Sequence, residues 1–171
     1  LTLTNINGLC RIALDKLKKT YEQDIQEKNI RIIFDNLTLS LMMEVNVEQF
    51  SKVLAGILKN SMYALLKKSE TVTFSPEIFL GLKVNKDMLE ITIRDNGSGI
   101  DENIKDKIFA PFFTTKTTGE AAGVGLYLCR EIVQNHRGTI EVESKKGEYT
   151  QFLITIPVYQ PKTITPPKEE E

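Results

Sequence analysis

The stretch RDNGSGI, residues 94–100, directly follows the apolar stretch LEITI, residues 89–93. LEITI predicts a strand, and that strand runs out into an acidic residue and two glycines. A tight turn explains Asp, Asn, Gly and Ser at this place, because all four are common turn residues. A nucleotide pocket explains them as well, provided that other stretches of the chain supply the remaining groups.

Length and composition indicate a single globular domain. The 171 residues are 41% apolar and 26% charged, with a formal net charge of -1. These values are typical of globular proteins and give no basic excess that would indicate nucleic-acid binding. Two cysteines and one histidine, without a C-x-x-C pair, argue against a zinc site and against a disulfide framework.

Targeting signals are missing from the sequence. No apolar run approaches the roughly 20 residues of a membrane span, and the N-terminus has no signal-peptide pattern. We therefore expect a cytoplasmic domain that makes no membrane contact of its own. The chain opens at LTLTNING without an initiator Met, so we also expect it to be part of a longer protein, which could itself be membrane-anchored.

The hydrophobic pattern predicts helices alternating with pairs of strands. Apolar residues at helical spacing mark the helices, and runs rich in β-branched residues mark the strands. In chain order, the predicted elements are a helix at 7–28, strands at 30–35 and 41–45, a helix at 47–68, a hairpin of strands at 78–85 and 88–95, a short helix capped by Asp101 and ending at Lys107, a loop at 109–122, a helix at 123–135, and strands at 139–144 and 149–158.

This element order predicts an α+β fold. Because hairpins dominate, we expect a two-layer α/β sandwich whose mixed, mostly antiparallel sheet is covered on one face by helices. Residues 1–158 would form the domain, with the helix at 7–28 either part of it or continuing into an upstream coiled coil. Residues 159–171 contain three prolines and an acidic end, and we expect a disordered tail there.

Two segments carry polar groups suited to a ligand. Asn60 lies in ILKNSMYAL among apolar neighbours; it is either at the solvent edge of its helix or buried with partners. Asp95 could accept hydrogen bonds from an amino group such as that of adenine. Gly97 and Gly99 would let a ligand approach the backbone and would permit positive φ.

Two later segments suit phosphates. IFAPFFTTK, residues 108–116, places three phenylalanines before two threonines and Lys116; the aromatic side chains would anchor a segment whose hydroxyl and ammonium groups reach phosphates. Gly123 and Gly125 precede a helix, and a helix N-terminus offers free N–H groups and partial positive charge. No G-K-[ST] follows, so this is not a Walker motif.

Together and in this order, the four segments resemble the catalytic, ATP-binding domain of sensor histidine kinases. That domain belongs to the superfamily shared with gyrase, the ninety-kilodalton heat-shock chaperone and mismatch-repair ATPases, and it implies a Bergerat ATP-binding fold. ILKNSMYAL resembles the N box, RDNGSGI the first glycine box, FAPFFTTK the F box of nitrogen-regulator-type kinases, and GVGLYLCREIVQNHRGTIEVES the second glycine box. The resemblance extends from about Leu1 to Val158.

The resemblance implies roles for particular residues. Asn60 would coordinate Mg²⁺ through its side-chain oxygen, and Asp95 would accept from the adenine amine, supported by Thr150 through water. Residues 110–122 would form an ATP lid. The implied nucleotide-binding residues are Asn60, Tyr63, Ala64, Asp95, Gly97, Gly99, Ile100, Thr115, Lys116, Gly123, Val124, Gly125, Leu126 and Thr150.

Three positions depart from the family pattern. Gly56 stands one helical turn before Asn60, where hydrolysing relatives have a glutamate general base and many histidine kinases have Asn, Gln or His. Ala121 stands where a glycine is common, and His136-Arg137-Gly138 replaces the usual His-Gly-Gly. His136, the single histidine, is expected to have a structural role at the end of its helix rather than to accept phosphate.

The implied function is Mg-ATP binding and γ-phosphate transfer to a histidine outside this chain, with no catalytic residue assigned with certainty. The implied partners are the phosphoacceptor helical domain of a homodimeric parent kinase and a response regulator. A nucleotide-binding pseudokinase or regulatory module that acts through its lid stays open as the alternative, favoured by Gly56 and Ala121. A serine kinase of the anti-sigma type is disfavoured, because those relatives usually carry Glu at the position of Gly56.

Overall fold

A computed structural model describes residues 1–111, 113 and 124–159, except for the side chain of Val124. Eleven helices and strands are found in these residues, and a short 3-10 helix lies at Lys105–Lys107. The elements are β1 (Thr2–Asn5), α1 (Ile6–Thr20), α2 (Glu22–Lys28), β2 (Arg31–Asp35), β3 (Met42–Val45), α3 (Val47–Ser69), β4 (Glu77–Asn85), β5 (Met88–Asp95), α4 (Val124–Asn135), β6 (Thr139–Lys145) and β7 (Tyr149–Pro157).

The main sheet has five strands in the order β2-β4-β5-β7-β6. β2 pairs with β4 in parallel, and the other neighbours pair antiparallel. In β5 and β7 every second side chain is buried, as expected for strands with one face against a core. α3 packs on β5 and against α1 and α4. The predicted mixed sheet with a helical layer is therefore confirmed.

A second, two-stranded sheet pairs β1 with β3. The prediction missed β1, and the predicted strand at 41–45 pairs with β1 rather than with the main sheet. Asn5 ends β1 and caps α1, since its side chain accepts the N–H of Gly8 at 3.0 Å. This small sheet therefore joins the first residues of the chain to β3, which ends two residues before α3 begins.

Two predicted helices differ in the structure. The helix predicted at 7–28 is broken at Tyr21, whose φ and ψ of -110° and 25° interrupt the helix before α2 begins. The short helix predicted from Asp101 is limited to Lys105–Lys107. Asp101 does not cap it: the carboxylate accepts the N–H of Asn103, two residues on, at 3.0 Å, which forms a local turn instead.

Some predictions lie outside the described residues. These are most of the loop at 109–122, the start of the next helix at Gly123, and the tail after Tyr159. Among the described residues, no helix is long and apolar enough to cross a membrane.

Candidate nucleotide-binding site

A cavity of about 460 Å³ lies between α3 and the ends of β5 and β7. Its size is within the range of small-molecule sites. Nine of the predicted nucleotide-binding residues line it, from segments far apart in the chain: Asn60, Tyr63, Ala64, Asp95, Gly99, Ile100, Gly125, Leu126 and Thr150. The sequence analysis did not single out the cavity lysines, Lys59, Lys67 and Lys146.

Asp95 is the buried acid of the cavity. It is the last residue of β5, only 2% exposed, and its carboxylate accepts the N–H of Gly97 at 2.9 Å. Burial raises the pKa of Asp95 to about 7, and this outweighs the opposing effects of the Gly97 N–H, the Ser61 hydroxyl and the charges of Lys68 and Arg94. A carboxylate shielded from water in this way can accept a further hydrogen bond from a ligand.

Ser61 is a polar neighbour of Asp95 that the sequence analysis missed. It is fully buried on α3 and helps to lower the pKa of Asp95. Even so, its hydroxyl makes no hydrogen bond of acceptable geometry within the described part of the chain. Because a buried hydroxyl without a partner is costly, this one fits a site that a ligand or an ordered water completes.

The glycine turn, defined as residues 97–100, is pressed between α3 and the β6–β7 turn. A side chain at Gly97 would come within 2.6 Å of the Ala64 backbone, so Gly97 lies behind the cavity wall rather than in it. At Gly99, φ is +66° and a Cβ would come within 2.2 Å of the Lys145 carbonyl oxygen. The Ser98 N–H donates to the Ala64 carbonyl at 3.1 Å. Only glycine fits at these two places.

Thr150 lies directly opposite Asp95 in the pairing of β5 with β7. It is buried, and its hydroxyl is 3.0 Å from that of Ser144 on β6. Ser144 in turn accepts the N–H of Ile100 at 2.8 Å. The sequence analysis gave Ser144 no role, although the alternation in TIEVES would have marked it as pointing to the same side as Ile140 and Val142.

The opposite end of the cavity is formed by α3 and the start of α4. Asn60 and Gly56 lie one turn apart on α3, and Gly125 belongs to the first turn of α4. A side chain at Gly56 would come within 3.2 Å of Cys129 Sγ on α4. The absence of a side chain at Gly56 therefore lets the two helices approach closely.

Asn60 fits a divalent cation only if other ligands join it. No group of three or more His, Cys, Asp or Glu side chains in residues 1–111, 113 and 124–159 could hold a metal ion alone. One amide oxygen on the cavity wall suits a hard cation that takes its remaining ligands from phosphates and water.

His136 has the structural position that the sequence predicts for it. The ring is buried at the end of α4, with Nδ1 2.8 Å from the Ile132 carbonyl oxygen, while Nε2 accepts the N–H of Asn46, the N-cap residue of α3. It also packs edge-on against Phe50. The ring thus joins the end of α4 to the start of α3.

The remaining predicted residues cannot be placed. Thr115, Lys116 and Gly123 lie outside the described residues, as does Ala121, and only the backbone of Val124 is described.

The comparisons with known proteins agree with this geometry. A family model described as "Histidine kinase-, DNA gyrase B-, and HSP90-like ATPase" matches residues 46–160. The chain belongs to this family. The resemblance stated from the sequence is therefore confirmed, and the chain is an ATPase-fold domain of the histidine kinase type.

The relatives of this histidine kinase domain include sensor histidine kinases. The solved catalytic domain of histidine kinase ThkA is 29% identical with a TM-score of 0.73, and the match covers 91% of this chain and 94% of that one. Cyanobacterial phytochrome A of Nostoc sp. is 35% identical over 149 residues, 85% of this chain and 18% of the relative. Sensor histidine kinase ZraS of Salmonella typhi is 28% identical over 92% of this chain and 31% of the relative. The chain spans less than a third of the length of these two curated relatives.

Proposed function

We propose that the chain binds Mg-ATP in the cavity described above and transfers the γ-phosphate to a histidine outside this chain. The observation that carries the proposal is Asp95, a buried carboxylate that lines a cavity large enough for a nucleotide. An acid in such a place costs folding free energy unless a ligand uses it.

The base of the nucleotide would bind at the Asp95 end. The carboxylate has one oxygen engaged by the Gly97 N–H and leaves lone pairs for the 6-amino group of adenine. Gly99 and Ile100 would contact the base through the backbone, while Thr150 supports the same end from β7. Tyr63, Ala64 and Leu126 would enclose the nucleotide.

The phosphates would bind at the α3–α4 end. Asn60 would hold Mg²⁺, which supplies positive charge that neutralises phosphate oxygens and fixes their orientation. The first turn of α4, at Gly125, directs backbone N–H groups and partial positive charge toward the phosphates. Lys59 adds a nearby cation. Thr115, Lys116, Gly123 and Val124 are proposed to complete this end by analogy with the family.

Gly56 favours transfer over hydrolysis. A water nucleophile needs a group that accepts its proton, and glycine has no side chain to do so. A histidine nucleophile already carries a lone pair and needs mainly correct positioning of the phosphate. This chain would therefore act as the positioning half of a kinase whose acceptor histidine lies elsewhere.

The rest of the parent protein follows from this role. We propose residues 1–158 as the catalytic domain and 159–171 as a disordered tail. The partners would be the phosphoacceptor helical domain of a homodimeric parent kinase and a response regulator, in the cytoplasm. A second candidate is a pseudokinase that signals through its lid without transfer; the missing side chain at Gly56 is the observation that favours it.

Titration with ATP tests the binding step. We expect calorimetric binding of ATP that is tightened by Mg²⁺, and Asn60→Ala should remove most of the Mg²⁺ effect while retaining metal-free binding. Asn85→Ala, at the exposed tip of the β4–β5 hairpin, is the matched control and should bind as the unchanged chain does. Failure to bind ATP with or without Mg²⁺ would reject the proposal.

A transfer assay separates the two candidates. The chain is mixed with the acceptor-helix domain of its parent protein and γ-labelled ATP, and acid-labile phosphohistidine is measured. Label on the acceptor supports the kinase. ATP binding without any label, together with a partner affinity that depends on nucleotide, supports the regulatory module instead.

A further inference from the structure

Three polar side chains form a row across three neighbouring strands at the Asp95 end of the cavity. This end, where the base of the nucleotide is proposed to bind, is called the base end. Asp95 on β5 is paired with Thr150 on β7, and Thr150 is paired with Ser144 on β6. All three are buried, with exposed fractions of 2%, 4% and 7%. Buried hydroxyls in a low-dielectric site hold fixed hydrogen-bond directions, because an unmade bond there is costly.

The hydroxyl of Ser144 has three partners. It is 2.7 Å from the Tyr149 carbonyl oxygen, it accepts the Ile100 N–H at 2.8 Å, and it lies 3.0 Å from Thr150 Oγ1. A hydroxyl has one proton and two lone pairs. A carbonyl oxygen can only accept, so the Ser144 proton is directed to Tyr149. One lone pair serves Ile100, and the other is left for the Thr150 proton.

The direction of the Thr150 hydroxyl follows from this count. If Ser144 instead donated to Thr150, two oxygens only 2.7 Å apart, those of Ser144 and Tyr149, would face each other without a proton between them. Thr150 therefore donates to Ser144 and offers only lone pairs to the cavity that it lines. The base end then presents two acceptors side by side, Asp95 and Thr150.

We propose that Ser144 is a positioning residue for nucleotide selection: it fixes Thr150 as an acceptor and holds the glycine turn through the Ile100 N–H. This inference rests on the proposed function, since it concerns the same cavity. A 6-amino purine can donate protons to the two acceptors. A 6-oxo purine such as that of inosine triphosphate presents lone pairs to them and is repelled.

The test compares ATP and inosine triphosphate (ITP) binding to Ser144→Ala. Without Ser144, the Thr150 proton can turn to the 6-oxo group, so discrimination against ITP should fall about threefold to tenfold, the range of one hydrogen bond. Affinity for both nucleotides should also fall, because the Ile100 N–H loses its partner. Ser144→Thr keeps the hydroxyl and should discriminate against ITP as the unchanged chain does. If Ser144→Ala unfolds, the ratio of ATP to ITP affinity is measured on Ser144→Thr instead.

A double-mutant cycle separates the two roles of Ser144. In a Thr150→Val background, Ser144→Ala should still weaken both nucleotides but should no longer change their ratio. If Ser144→Ala weakens ATP and ITP equally in the original background, or if Ser144→Thr fails to restore the ratio, Ser144 is a structural support only and the inference is wrong. If the unchanged chain binds neither nucleotide, the proposed function fails first.

Discussion

The two ends of the cavity are built in different ways. At the base end, strand pairing places Asp95, Thr150 and Ser144 in one row, and backbone contacts clamp the glycine turn. At the α3–α4 end, where the phosphates are proposed to bind (the phosphate end), the walls are side chains and the start of α4.

If the nucleotide binds as proposed, this difference implies that the base site is preformed, whereas phosphate binding depends more on individual side chains. A preformed end loses little conformational entropy when a ligand binds. Substitutions in the glycine turn at the base end should therefore damage the fold and binding together. Substitutions at the phosphate end should change binding or helix packing with smaller effects on stability.

Gly99→Ala should have the largest effect. The substitution combines a positive φ with a Cβ 2.2 Å from a carbonyl oxygen, so we expect a loss of about 3 kcal/mol or more in the free energy of unfolding. Urea unfolding and ATP titration would measure this. Gly147→Ala is the control, because it has φ of +81° but nothing within 4 Å of the new Cβ; it should cost only about 1 kcal/mol. Equal losses in the two variants would show that the close contact between residue 99 and the Lys145 carbonyl oxygen adds nothing to the cost.

Asp95→Asn should weaken ATP binding while it stabilises the empty domain. Loss of a charge-assisted acceptor should raise the Kd for ATP by about 100-fold. Because burial raises the Asp95 pKa from 3.8 to about 7, the folded state holds its proton more tightly than the unfolded state does. Stability of the unchanged protein therefore falls as pH rises between these two values, and that loss is absent in the variant.

Unfolding measured from pH 4 to pH 8 checks the second part of this prediction. The stability of Asp95→Asn relative to the unchanged protein should rise up to about pH 7 and then level off. Asp87→Asn, at the tip of the β4–β5 hairpin, is the control for removal of one carboxylate. A stability difference that does not change with pH would show that burial does not raise the pKa of Asp95 in the folded protein.

The groups at the Asp95 end of the cavity can be predicted from the sequence because they lie close together in the chain. Asp95, Gly97 and Gly99 lie within five residues, and a strand that ends in such a turn restricts where the side chains point. The helix carrying Asn60 was equally clear from its apolar stripe. What joined the segments into one site was the resemblance, since hydrophobic spacing alone does not tell which strands become neighbours.

Two features that the sequence analysis missed, the role of Ser144 and the strand β1, depend on pairing between strands that are distant in the chain. Ser144 reaches Ile100 only because the register of β6 with β7 brings it opposite Thr150. β1 has four residues and gains its partner about forty positions away in β3. The break at Tyr21 is hidden for another reason: Tyr21 and Ile25 continue the apolar spacing of α1 through it.

Gly56→Ala tests the packing of the phosphate end. Alanine favours the helix interior by about 1 kcal/mol over glycine, but its Cβ would crowd Cys129 Sγ at 3.2 Å. We expect these effects to cancel, leaving stability nearly unchanged. In a Cys129→Ala background the crowding is gone, so Gly56→Ala should stabilise by about 1 kcal/mol. Thermal unfolding of all four proteins measures the coupling, and additive effects would show that α3 and α4 do not compete for this space.

Arg137→Gly should have a small effect, because Arg137 follows the C-terminal end of α4 and only the first turn of α4 lines the cavity. Arg137 has φ of +61°, which costs a non-glycine residue about 1–2 kcal/mol. Glycine removes this strain, but about half of the resulting stabilisation is lost because glycine also raises the conformational entropy of the unfolded chain. We therefore expect a net stabilisation of about 0.5 kcal/mol, seen in urea unfolding, with no change in ATP affinity.

Asn29→Gly is the matched control for Arg137→Gly. Asn29 also has positive φ, at 51°, but asparagine tolerates the left-handed conformation, so this substitution should be nearly neutral. Altered ATP affinity in Arg137→Gly would contradict the separation of the two ends of α4. The C-terminal end is held by His136 and by Gly138, where a Cβ would meet the Thr155 carbonyl oxygen at 2.4 Å. Relief of strain there should therefore stay local and leave the first turn of α4, which lines the cavity, where it is.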